Sequence, residues 1–569
     1  MGIVRNYPFC KIISLALLAS ALTANANDPR IGVMTHFAQG WPTSQADTTA
    51  GLGLGNVRDE LYWAAIEKAP GVYTFPATFD SYMAKLRQDG IAPLIELDFE
   101  NPFYDGGQTP YTAAGFAGYA NYCAAVLAHY GSQIAAVEIW NEYNGGFCAG
   151  PATGSREGTY TAMLKQAYIR IKGIRPDVTV VGGSTASTPI PYWKKLMQDG
   201  ALAYMDVLSI HPYRYNSPPE GIESEIATLQ SMILKYNHGV AKPIWATEIG
   251  WEEQTGPLLI DDTTLAKYVT RSYALLFSAG VQRVYWYLLH DDSGEPMGLY
   301  QANMTPKPAA QAMRTLISEL NGAAFVSKEK TPAEVYSLLF QGSNGRQVRI
   351  MWSLASRAVN LGGVSRAVDM LGNPLSPAGS YVLSDAPIFV EGYVSGVPAP
   401  SASDEVLLTD SEADFNATRG FKGWTYGYVD GTGAFTPMPT YIADEWKYYW
   451  TANFPYVSVT ATDMHPSMDG AKTVKAVRRW TSNVNGAVHL VGDFQGGTQG
   501  DGVGVEILVN GQPALARQII GGPNAAAKYF DFVRAVSKGT TVDFVVDAGP
   551  GTDMNFDATA FAAKILTKN

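Results

Sequence analysis

Between Ile31 and Leu289, short apolar runs alternate with amphipathic stretches of helical period. The runs cover 31–37, 55–61, 92–99, 135–142, 178–184, 206–213, 242–251 and 283–289. Helical segments are expected at 78–89, 113–130, 160–174, 222–236 and 262–279, with Gly90, Gly173 and Gly280 just past helix ends. Continuous apolar strands separated by amphipathic helices imply a parallel sheet covered by helices. Eight such units predict a (β/α)8 TIM barrel over 27–318.

After Leu320 the helical period gives way to strand-like runs, with a hairpin signal at Gly342–Gly345. A small β-sandwich is expected over 319–392, then a Pro/Ser/Ala/Gly-rich linker over 393–405. Region 406–569 alternates strands with glycine turns and predicts an all-β jelly-roll domain. Its aromatics, Trp424, Tyr426, Tyr428, Trp446, Tyr448, Tyr449 and Trp450, are either a sugar-stacking platform or core packing. Asp501, Asp547 and Asp557 are candidate calcium ligands.

Hydrophobic residues make up 46% and charged residues 16% of the 569 positions, which suits large cores and excludes a disordered chain. A net charge of −11 with no basic cluster argues against nucleic-acid binding. Residues 1–26 have a positive start, an apolar stretch from Ile12 to Leu22 and small residues at Ala24-Asn25-Ala26, the layout of a cleaved export signal. A secreted or periplasmic protein without a membrane span is expected. Cys123 and Cys148 would remain in an oxidising compartment, and a disulfide between them is expected, with two buried thiols as the alternative.

Two glutamates carry the candidate chemistry. Glu142 and Glu248 each close an apolar run, in WNEYN and ATEIGW. A carboxylate at the end of a buried strand is costly unless a site uses it. Two of them at one barrel mouth suit acid/base and nucleophilic work on a glycosidic bond. Taken singly, each could merely cap a strand or pair with a surface lysine. There is no HExxH, GxSxG or phosphate-loop motif, so neither a metal nor a cofactor is expected.

The set resembles clan A of the glycoside hydrolases, the retaining (β/α)8 enzymes. There the acid/base Glu follows an Asn at the end of strand four, and the nucleophile ends strand seven. Asn141-Glu142 and Glu248 match these positions. Arg58 matches an arginine that holds the nucleophile ionised, and His211-Pro212-Tyr213 a His and Tyr after strand six. Trp286 matches an aromatic that floors the first sugar subsite. The stretch RDELYW–GVYTFP, the HPY triplet and a short β-domain ending in PIFVEG resemble glycoside hydrolase family 39 most. The resemblance covers residues 31–392. It implies double displacement on a polysaccharide or oligosaccharide, a bacterial exopolysaccharide or plant-wall glycan, with Glu248 as nucleophile and Glu142 as a carboxylic acid kept protonated by an acid-flanked, poorly solvated setting. Asn141 would bind the sugar 2-hydroxyl. His36, His290 and Asp291, at the ends of the first and eighth runs, are further candidate substrate contacts, with packing as the alternative for the histidine at 36. A non-catalytic carbohydrate-binding barrel and a transglycosylase using the same residues stay open.

Overall fold

The eight apolar runs form one closed parallel barrel. Its strands are β1 (Asp28–Met34), β2 (Leu54–Tyr62), β3 (Ala92–Asp98), β4 (Ala136–Ile139), β5 (Thr179–Ala186), β6 (Val207–His211), β7 (Ile244–Ile249) and β8 (Arg283–Trp286), hydrogen-bonded in sequence order with β8 closing on β1. This computed structural model describes residues 27–214, 217–253, 260–292, 294–332, 334–398, 405–443, 448–470, 472–497, 500–522, 527–551, 554 and 556–568. The expected export signal and Trp446 lie outside the described residues.

One helix follows each strand: α1 (Ala46–Leu52), α2 (Ala77–Asp89), α3 (Ala113–Tyr130), α4 (Arg156–Ile174), α5 (Ile190–Gln198), α6 (Ile222–Tyr236), α7 (Asp262–Ser278) and α8 (Pro308–Leu320). Capping explains several ends. Thr112 accepts from the Gly115 amide at 3.1 Å and Asp261 from the Thr264 amide at 2.7 Å. Gly90 terminates α2 at φ 69°, a conformation that costs a side-chain-bearing residue more. Gly173, expected just past a helix, instead lies inside the last turn of α4, which ends at Ile174.

The middle region forms a six-stranded antiparallel sheet, from Ala324–Lys328 to Ile388–Ser395, beside a two-stranded one. Its last strand extends to Ser395, into the stretch read as linker. The hairpin at Gly342–Gly345 forms as expected, with Gly345 at φ 81°. It docks on the barrel through Glu220, which accepts from Arg271 Nε at 2.7 Å and from Trp352 Nε1 at 2.9 Å.

The C-terminal region is all β, with sheets of eight and seven strands around a shared core. Trp424, Tyr426 and Trp450 are buried in that core, so packing accounts for them; Tyr428, Tyr448 and Tyr449 are half-buried. Asp547 is held by the Arg517 guanidinium at 2.7 Å on both oxygens. Among the described residues, Asp501, Asp547 and Asp557 form no metal-binding group. A barrel residue reaches this domain: Arg214, just past β6, lies 3.3 Å from Glu412.

Cys123 and Cys148 are buried thiols that form no disulfide with each other. Cys123 faces the core from α3, where burial pushes its thiol up, while Cys148 sits beside Tyr143 on the loop after β4. Among the described residues, no helix is long and apolar enough to cross a membrane.

Candidate active site

Parallel pairing puts three acidic side chains abreast: Glu60 of β2 pairs with Glu96 of β3, and Glu96 with Glu138 of β4. Arg58 lies two residues before Glu60, on the same face of β2. Its guanidinium is fully buried and spreads over three carboxylates. Nε donates to Glu138 at 2.6 Å, Nη1 to Glu248 at 2.7 Å, and Nη2 lies 2.7 Å from Glu96. These partners raise the Arg58 pKa well above its ordinary value, against the opposing pull of burial. Glu138 also accepts from the Ser209 hydroxyl of β6 and, at 2.9 Å, from Thr247 of β7. Four strands thus converge on one buried carboxylate, which fixes the plane of the guanidinium.

Glu248, on β7, receives a second donor from the Tyr213 hydroxyl at 2.6 Å. Glu142 lies across the mouth, three residues past the end of β4 rather than on the strand. The backbone is left-handed at Trp140 (φ 67°) and Glu142 (φ 38°), strain that the surrounding structure must hold. Asn144 supplies that hold by a double hydrogen bond to the Ala186 backbone at 2.9 and 3.1 Å. The Trp140 indole adds a bond to the Phe147 carbonyl at 2.9 Å.

His211 joins the two glutamates. Its Nδ1 is 2.9 Å from Glu142 and 3.6 Å from Glu248, and its Nε2 is 3.3 Å from Ser184. Oxygens of Glu142 and Glu248 and a His211 nitrogen all lie within 4.8 Å of one another. Desolvation would lower the His211 pKa, but the two carboxylates outweigh it and raise it. Burial would raise Glu142, but the hydrogen bond and charge of His211 pull it down. These directions run against the expectation of a protonated Glu142: in the unliganded site His211 holds a proton more tightly than usual and Glu142 less tightly.

A cavity of about 440 Å³ opens above the pair, lined by Asn141, Glu142, Tyr213, Glu248 and His36 among the expected residues. Gln39, Glu60 and Tyr62 line the β2 side, Phe99 and Phe147 a second side, and Trp251, Tyr287 and Glu295 the third. Phe147 is 45% exposed and stacks on Phe99 at 5.2 Å.

Three expected contacts fall outside this lining. Trp286 is wholly buried behind Trp251, with its indole donating to the Met297 carbonyl at 3.0 Å. The last barrel strand ends at Trp286, so the residue after it, Tyr287, meets the cavity instead. His290 stacks on Trp41 at 3.7 Å and lies 3.2 Å from Gln45. Asp291 binds Lys307 at 2.7 Å and caps the Gly298 amide, on a separate surface depression. After β3, Asn101 turns the chain through bonds to the Glu67 carbonyl and Phe103 amide, and Glu100 is exposed.

Glu96, Glu138, Ser209, Thr247 and Ser184 were missed by sequence reasoning. The first two carried a signal: a lone acid inside an otherwise apolar run, in PLIEL and AVEIW. The hydroxyl residues carried none.

A solved family 39 glycoside hydrolase from the gut symbiont Bacteroides cellulosilyticus WH2 superposes with a TM-score of 0.55 at 21% identity, over 65% of this chain and 81% of that one. The chain shares the family 39 glycoside hydrolase fold. A family 39 β-xylosidase from Caulobacter crescentus (TM-score 0.47, 15% identity, 64% of this chain and 96% of that one) is also similar. So is a family 39 enzyme from Xanthomonas axonopodis pv. citri (TM-score 0.43, 14% identity, 92% and 94%). No family model and no curated protein matches the sequence.

Proposed function

We propose that this protein is a retaining glycoside hydrolase that cleaves a polysaccharide or oligosaccharide by double displacement. One observation carries the reading: Glu142 and Glu248 face each other across His211 with carboxylate oxygens within 4.8 Å. That spacing suits a retaining pair at about 5 Å and is too short for an intervening water, which needs roughly 6.5–9.5 Å.

In the first step a Glu248 oxygen bonds to the anomeric carbon as the bond to the leaving oxygen breaks. Glu142 gives that oxygen a proton. The proton starts on His211 Nδ1 and passes to Glu142 when bound sugar strips water from the carboxylate, a change that raises its proton affinity. In the second step water bonds to the anomeric carbon, the ester to Glu248 breaks, and the water proton passes to Glu142 and back to His211. Arg58 and Tyr213 hydrogen-bond Glu248 and hold it aimed; they act through the nucleophile. Asn141, beside Glu142 on the cavity wall, is placed to hydrogen-bond the substrate.

Export through residues 1–26 and glycan binding by the C-terminal domain belong to the same proposal; a domain that holds the polymer raises its concentration at the barrel. A glycan screen followed by proton NMR of the first product tests the reading. Retention at the anomeric carbon, lost in Glu248→Ala, is expected. Inversion, or turnover surviving in Glu248→Ala, overturns it.

A further inference from the structure

The catalytic cavity has an unusual charge balance. Five glutamates line it, Glu60, Glu142, Glu248, Glu252 and Glu295, and among the described residues no lysine or arginine does. The nearby guanidinium, Arg58, is fully buried and already engaged by three carboxylates. The β2 side is the most acidic part. There Glu60 receives the Tyr62 hydroxyl and, at 3.0 Å, the Gln39 amide. Behind it, oxygens of Glu60, Glu96 and Asp98 lie within 4.8 Å of one another. Asp98 is fully buried, and neither of its oxygens has a hydrogen-bond partner among the described residues. Arg58 meets this group at Glu96, 2.7 Å away, yet burial still pushes the Glu96 and Asp98 carboxyls well above their ordinary range. Glu60 is the member that reaches the cavity, so a positive group arriving there would relieve the cluster.

Resting on the glycosidase reading, we propose that the cavity selects an amino sugar with a free ammonium, seated against Glu60. The concave wall focuses the field of its glutamates on the entering sugar. A uronic acid would enter against this field, and the charge of His211 is already shared by Glu142 and Glu248. An N-acetylated sugar would have the same skeleton without the charge. The substrate class is therefore a partly or fully deacetylated hexosaminan, rather than a uronate-containing glycan.

Binding separates this inference from catalysis. The probes are oligosaccharides and methyl glycosides of glucosamine and galactosamine, their N-acetylated counterparts, and an oligogalacturonate. Each is titrated calorimetrically into Glu248→Gln at low and high salt. The free amines are expected to bind about tenfold or more tightly than the acetylated forms. That preference should shrink with salt and vanish when Glu60→Gln is added, while the oligogalacturonate does not bind. Circular dichroism confirms that the double variant is folded, and Glu252→Gln gives a milder loss as a second measurement. Equal binding of amine and acetylated forms, tighter binding of the uronate, or no binding of any amine overturns the ammonium seat. Hydrolysis of neutral glycans that depends on Glu142 and Glu248 would still leave the glycosidase reading intact. A divalent metal seen bound by Glu60 and Asp98 in calcium or magnesium titrations, blocking the amine, also overturns it.

Discussion

Arg58 in the barrel and Arg478 in the C-terminal sandwich are both fully buried, yet their partners differ in kind. Arg58 meets three carboxylates, and its pKa is raised well above the ordinary value. Arg478 meets backbone carbonyls: Ser411 at 2.9 Å, Ala461 at 3.0 Å, and Thr460. It lies over the Phe561 ring at 5.0 Å, and burial lowers its pKa. The first guanidinium aims a carboxylate at an open cavity; the second ties a loop to a sandwich. A buried arginine marks a site only when its partners are themselves charged and one of them reaches solvent.

Substitutions can break this contrast. Glu248→Ala should lower kcat by roughly 10⁴-fold or more, with an unchanged thermal midpoint for the C-terminal domain. Glu142→Ala should cost about 10²- to 10⁴-fold with natural leaving groups, and less with an activated aryl glycoside that needs no proton. Arg58→Lys keeps the charge but loses the fork that spans Glu96, Glu138 and Glu248. A kcat loss of about a hundredfold is expected, equivalent to one charge-assisted hydrogen bond of about 3 kcal/mol. Arg478→Met should do the reverse. It leaves several carbonyls unpaired and should destabilise the sandwich by roughly 3–5 kcal/mol in calorimetry, while turnover per folded barrel is kept. If Arg478→Met abolished turnover on short substrates, the contrast would fail.

The pH response sharpens it further. His211 has a folded pKa above its ordinary 6.5, so its stabilising charge is complete below pH 6.5 and lost as pH rises through the folded value. Glu142 has a folded pKa below 4.5, so its contribution is present above pH 4.5 and lost as pH falls through the folded value. The pair therefore stabilises the barrel most in mildly acidic to neutral solution. His211→Asn should flatten the alkaline decline of the barrel's thermal midpoint and shift the alkaline limb of kcat/KM. An unaltered pH profile would remove the proton from His211. The smallest effect is expected for Phe147→Ala, a rise in KM of about threefold to tenfold from the loss of an exposed stacking face.

Legibility in the sequence followed locality. The eight strands, five of the helices and the two catalytic candidates were readable because each depends on side-chain period or on a short motif at a strand end. α1, α5 and α8 were not: the first is made of small and polar residues, the second follows Pro189 and has Pro191 as its second residue, and the third opens on Pro308. Trp286 was readable as a barrel aromatic, but the last strand ends there and Tyr287, one residue on, lines the cavity. Cys123 and Cys148 looked like a pair because they are the two cysteines left for an oxidising compartment, yet they form no disulfide.

The sequence alone determined the barrel, the β-rich C-terminal half and the presence of two strand-end glutamates, since periodicity and strand ends are local properties of the chain. Tertiary structure decided the rest: the register that sets Glu60, Glu96 and Glu138 abreast, the sharing of Arg58, and the placement of His211 between Glu142 and Glu248. Proton affinities depend on distance and burial, and closing the barrel brings together groups as far apart in sequence as Arg58 and Glu248.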